Sequence, residues 1–138
     1  MSLLKTNSIQ HNDASAANIT LASTGVSTFN AAAIGTVGTL TSSSESTAVN
    51  LATANLYSLA LSENTTVANP TGDVAGQSGS IFITQDGTGS RTAAWGSHYL
   101  WAGGTAPTLT TTGNAVDRID YVVAAANKIH AVASLDVK

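Results

Sequence analysis

Residues 79–92 read Gly-Ser-Ile-Phe-Ile-Thr-Gln-Asp-Gly-Thr-Gly-Ser-Arg-Thr, and this stretch decides the fold class. Residues 80–85 form the clearest strand in the chain. Ile81 and Ile83 alternate with Phe82, the period of two that a pleated strand imposes on its side chains. Asp86-Gly87 then supplies a hairpin signal, with Gly87 expected at positive φ. Gly87 and Gly89 give the backbone freedom to turn the strand around, and residues 92–95 return. Arg91 emerges at the base of the loop, placed to pair with Asp86 or to cap loop carbonyls. Asp86, Gly87, Gly89 and Arg91 are therefore the expected structural residues of a hairpin loop.

Working outward, the same texture continues. Residues 56–61 read as a strand with Tyr57, Leu59 and Leu61 on one face, and Leu51 precedes them. Glu63-Asn64 and the Asn-Pro-Thr-Gly-Asp stretch at 69–73 are turns. Residues 99–101 form a short strand closed by Gly103-Gly104. Residues 118–124 and 128–135 make a final hairpin turning at Ala126-Asn127. Turn residues recur roughly every eight to twelve positions, which predicts a mainly β domain over residues 46–138: an antiparallel β-sandwich or small barrel. Trp95 and Trp101, with Phe82 and Tyr121, are expected to fill most of its core, at ~1.5–3 kcal/mol per large apolar group. The alternative is an exposed ligand face built from Trp95, His98, Tyr99 and Trp101.

Residues 1–45 are different. Leu3, Leu4, Ile9, Ile19 and Leu21 stand isolated, with no helical stripe to join them, and residues 42–47 form a Ser/Thr-rich linker. Ile19-Thr20-Leu21 reads as a short strand. Apolar residues this sparse cannot bury one another, so the expectation is an extended N-terminal arm that orders against partner subunits, the alternative being a disordered tail. Those five residues are the candidate anchoring set.

Composition excludes several classes. The chain has 138 residues, of which 9% are charged, and five Lys and Arg against eight Asp and Glu give a net charge of −3. No basic surface exists to neutralise phosphates, so no nucleic-acid partner is expected. There is no Cys, hence no disulfide framework and no zinc-thiolate site. The longest apolar run, residues 121–126, is too short to cross a bilayer core of about 30 Å, and no membrane insertion is expected. The absence of an apolar h-region behind Lys5 predicts assembly in a cytoplasm. So little charge opposes association only weakly, and so small a domain buries little surface alone, which predicts a homo-oligomer.

No motif for chemistry is complete. His11, His98 and His130 are scattered. Asp117 and Asp120 lie three apart, which on a strand places them on opposite faces. Residues 76–79 (Gly-Gln-Ser-Gly) only approach a nucleophile elbow, and Gly87 to Gly89 lacks the Lys-Ser or Lys-Thr of a phosphate loop. No enzyme activity, metal or cofactor is expected.

Residues 79–92, Trp95, the Trp-Ala-Gly-Gly-Thr-Ala-Pro-Thr-Leu run at 101–109 and Asn-Ala-Val-Asp at 114–117 are together similar to β-domains of tailed-bacteriophage appendage proteins. The opening at residues 2–10, Ser-Leu-Leu-Lys-Thr-Asn-Ser-Ile-Gln, resembles the start of many marine-phage fibre and structural proteins. The resemblance implies a virion location and a non-enzymatic structural role. It implies a short homotrimeric fibre or knob, tail-fibre-like or decorating the capsid, whose arm holds other virion structural proteins. Its alternative is an adhesin module that binds host-surface glycan or another receptor. The shaft repeats and the chaperone or glycan-cleaving domains of the longer members are missing.

Overall fold

The computed structural model describes residues 32–138 in full and, before them, the backbone of β1 (Ser8–Ile9), β2 (Ile19–Leu21) and β3 (Ser27–Phe29). The chain divides into two compact units, Met1–Ile34 and Gly35–Lys138. In the first, β1, β2 and β3 form an antiparallel sheet in that order. β2 is the strand expected at 19–21.

The second unit holds β4 (Val37–Thr41), β5 (Leu56–Ala60), β6 (Thr65–Val67), β7 (Ser78–Thr84), β8 (Ala93–Trp95), β9 (Tyr99–Trp101), β10 (Val116–Ala125) and β11 (Lys128–Ser134). Six of these form one sheet in the order β4-β5-β7-β10-β11-β9, and β6 pairs with β8 in a second, two-stranded sheet. The expected mainly β class holds, but the large sheet is mixed rather than antiparallel throughout. β4, β5 and β7 run parallel to one another, and so do β11 and β9. Antiparallel pairing is confined to β7 with β10 and β10 with β11. The final hairpin is the expected one, turning through Asn127 at φ 61°.

The reason is the path of the chain. Parallel neighbours need a crossover of a dozen or more residues. From β4 the chain runs through residues 42–55, where Thr47 and Asn50 bridge in parallel to Val67 and Thr71. From β5 it passes through β6 before reaching β7, and from β7 it goes on to β8, parallel to β6. Thr47, Val67 and Trp95 thus follow one another in the same order as β4, β5 and β7. The chain winds three times, each turn leaving one strand in the large sheet and a shorter segment in a second layer.

Two expectations change accordingly. Residues 85–92 do not close a hairpin, because β7 pairs with β5 and β10 whereas β8 pairs with β6. The loop carries the chain from one sheet to the other. The second unit also begins at Gly35 rather than near residue 46, since β4 is an edge strand of the large sheet.

The core lies along the inner face of that sheet. Register places Leu40, Leu59 and Ile83 in one buried row and Tyr57, Ile81 and Ile119 in the next. Val123, Ile129 and Tyr99 continue the same layer, and Val49, Leu51, Val67 and Leu109 close it from the other side. Phe82, expected in the core, points the other way and is 37% exposed. With Ile81 and Ile83 both inward, the strand period forces it out.

Gly79 marks the tightest approach. Tyr121 donates its hydroxyl hydrogen to the Asn55 carbonyl at 2.9 Å, directly beside this glycine. A Cβ at position 79 would fall 1.7 Å from that carbonyl oxygen and 2.7 Å from the Tyr121 hydroxyl. Gly79→Ala should therefore cost about 1–3 kcal/mol, read as a lowered melting temperature by circular dichroism. An unchanged melting curve would contradict this packing.

Candidate functional site

The loop at 85–92 is pinned by its own side chains. Buried Gln85 donates from Nε2 to the Arg91 carbonyl at 2.8 Å and accepts the Arg91 amide on Oε1 at 2.9 Å. Asp86 Oδ1 accepts the Thr88 and Gly89 amides at 3.0 and 2.7 Å. Its Oδ2 takes both Nε and Nη2 of Arg91, at 2.8 and 2.7 Å. The Arg91 hydrogen bond, followed by the Gly89 amide, holds the Asp86 carboxyl below the usual carboxylate range. Its contribution is present above that range and is lost as pH falls through the lowered value. The loop is also tied to its neighbour: Ser90 donates its amide to the Thr111 carbonyl at 2.7 Å, and Asn114 donates to the Asp86 carbonyl at 3.0 Å.

Positive φ falls on Gly89 (74°) and Ser90 (64°), not on Gly87. The turn was legible from Asp86-Gly87, but the carboxylate cap shifts the left-handed residues two and three places on. A Cβ at Gly89 would meet the Thr111 carbonyl oxygen at 2.3 Å, whereas one at Gly87 meets nothing within 4 Å. Gln85, the inner clamp, carries no local signal beyond its place at the end of the strand.

The aromatic residues gather at β8 and β9. Trp95 stands 5.0 Å, centroid to centroid, from both Tyr99 and Trp101, edge-on at 71° in each case. Tyr99 is 6% exposed, and burial pushes its phenol well above the ordinary value. The same cause, reinforced by Tyr57, takes Tyr121 up to about 12. Trp95 and Trp101 are half-buried and pack against the core. His98 is half-buried, its amide donated to Asn69 Oδ1 at 2.9 Å. The cluster leaves Trp95 Nε1, His98 Nδ1 and the Tyr99 hydroxyl buried without a protein partner, an arrangement that costs stability. Trp101 lines an open groove of about 160 Å³, with Ala102, Thr105, Pro107 and Ala133 among its walls.

The two carboxylates of β10 part as the strand period requires. Asp117 is buried and accepts the Thr110 and Asp136 amides at 2.7 and 2.8 Å, holding the loop before β10 and the C-terminal residues. Asp120 faces outward, paired with Arg118 at 3.0 Å and with the Ser80 hydroxyl at 2.6 Å. Among the described residues, no three His, Asp or Glu side chains stand together as a metal site would need. Of the anchoring candidates, Leu3 and Leu4 lie outside the described residues, Ile9 falls in β1, and Ile19 and Leu21 fall in β2.

The side chains of Gln85, Asp86 and Asp117 hold the domain's own loops. The family described as "Putative phage tail fibre C-terminal domain" matches residues 43–125, from the first crossover to the end of β10. That is more than half of the chain, and this protein belongs to that family. No curated protein and no solved structure matches it. Membership makes it a tail-fibre-like structural protein of a phage virion.

Gly89→Ala should lower the melting temperature, by the equivalent of about 1–3 kcal/mol, because both backbone and space forbid the methyl. Gly87→Ala should stay within about 0.5 kcal/mol of the parent. Equal melting curves for the two variants would contradict the loop geometry.

Proposed function

We propose that this chain is the non-enzymatic end piece of a short tail fibre, a homotrimeric knob assembled in the host cytoplasm and held to the particle through residues 1–34. The observation that carries the reading is the division of labour along the sequence. The tail-fibre C-terminal family match lies within the second unit, and the first unit falls outside it. The second unit is self-contained, with one core and clamped loops. Attachment to other virion structural proteins is the use this leaves for the first unit.

A second reading, host-glycan binding, is favoured by the groove beside Trp101. An indole at the rim of an open, mostly carbon-walled groove offers the flat apolar surface on which a sugar ring stacks. Binding there would change tryptophan fluorescence on addition of host polysaccharide; an unresponsive spectrum would leave Trp101 a packing residue.

Attachment is tested with particles lacking the native protein. The full chain should bind them, with immunogold label at the tail, while a chain beginning at Gly35 should remain folded by circular dichroism yet fail to bind. Label spread over the head would make the protein a capsid decoration instead. Binding by the shortened chain would place attachment in the second unit.

A further inference from the structure

Asp86-Gly87 is the one place in the chain where a glycine follows an aspartate or an asparagine. That pairing is chemically labile, because glycine has no Cβ to shield its own amide nitrogen. The nitrogen attacks the aspartate Cγ: an N–Cγ bond forms, and the carboxyl hydroxyl departs with the amide proton as water. The product is a five-membered succinimide. Water then opens it at either carbonyl. Opening at Cγ restores aspartate, whereas opening at the original main-chain carbonyl leaves isoaspartate, whose backbone runs through Cβ and Cγ.

The loop opposes each requirement of the first step. A protonated carboxyl can expel a hydroxyl and an ionised one cannot; Arg91 keeps this one ionised, with Nε and Nη2 on Oδ2 at 2.8 and 2.7 Å. That hydrogen bond, with the Gly89 amide behind it, holds the carboxyl below the usual carboxylate range, so the reactive neutral form is scarce at neutral pH. Cγ must also swing to face the Gly87 nitrogen, yet Oδ1 is tied to the next two amides, Thr88 and Gly89, at 3.0 and 2.7 Å. Arg91 is itself held, because buried Gln85 binds its amide and its carbonyl. Nothing in the turn calls for glycine at 87: its φ is outside the left-handed region, and a Cβ there would meet nothing within 4 Å.

We propose that Asp86-Gly87 is a latent modification site, a point of succinimide and isoaspartate formation that the Arg91 ion pair keeps closed. Modification would dismantle the loop that now prevents it. The Asp86 carbonyl accepts the Gly89 and Asn114 amides at 3.2 and 3.0 Å. In isoaspartate that carbonyl becomes a free carboxylate off the main chain, and the connection from β7 to β8 lengthens by one atom. The step is therefore self-reinforcing. An opened clamp permits isomerisation, and isomerisation keeps the clamp from forming again.

The full chain, Arg91→Gln and the double variant Gly87→Ala/Arg91→Gln are stored at neutral pH below their melting temperatures, with the full chain in urea as the unclamped reference. Isoaspartate is read by enzymatic methyl transfer to its free carboxylate and placed by peptide mapping, in which the succinimide is lighter by one water. Folded Arg91→Gln should accumulate it several-fold faster than the full chain, and the urea sample faster still. The double variant should fall back to the full chain's rate. A folded Arg91→Gln that ages no faster than the full chain overturns the role of the ion pair. Product that persists in the double variant at the Arg91→Gln rate belongs to another bond and overturns the site. The full chain decides the matter even where Arg91→Gln fails to fold. Equal rates with and without urea overturn the proposal, and a native rate far below the urea rate, with product at residues 86–87, supports it.

Discussion

Neighbouring strands that run in the same direction cannot be joined by a tight turn, so the parallel pairing of β4, β5 and β7 obliges the chain to leave the large sheet and come back. What it does on those excursions builds the rest of the unit. The first brings Thr47, Val49 and Leu51 over the sheet, and the second brings Thr65 and Val67; all five are buried. Thr47 and Thr65 share a hydrogen bond between their hydroxyls at 2.8 Å, which satisfies the polar groups that this second layer carries inward. The crossovers are therefore the other half of the core.

The winding ends where the pairing changes sense. β10 lies antiparallel to β7, and the hairpin it forms with β11 carries the inner rows onward through Ile119, Tyr121, Ala131 and Ile129. Polar side chains then fix the loops at the rim: Gln85 and Asp86 on one, Asp117 on the next. The surface is kept wet by hydroxyls and amides, with few charges. The same economy fills the outer face of the large sheet with Ser58, Ser80 and Thr84 beside Phe82 and Val122.

Much of this was legible in the chain, because strand alternation is a local property. Tyr57, Leu59 and Leu61 read as one face and are one buried face. The parting of Asp117 and Asp120 and the turn at Asn127 follow from the same period and from turn chemistry. Alternation does not say which strand lies alongside, however. Asp86-Gly87 signalled a reversal of direction, and the chain does turn there, but into the second sheet. The long stretches at 42–55 and 61–77 were the available sign of crossovers. Phe82 was drawn inward by its size although its own neighbours, Ile81 and Ile83, had already claimed the inner face. The site was less legible, since the Gln85 clamp on Arg91 follows no local pattern and Trp101 owes its position to contacts with β11, distant in sequence.

The direction of pairing between β5 and β7 tests the account at its root, and interstrand nuclear Overhauser contacts in the isotope-labelled protein measure it directly. Parallel winding predicts that contacts rise together along the two strands, Leu56 with Ser80 and Ala60 with Thr84, and that the close Hα–Hα contacts of antiparallel pairs are missing between them. Contacts running in opposite senses, Leu56 with Thr84 and Ala60 with Ser80, would contradict the winding and the two-layered core built on it.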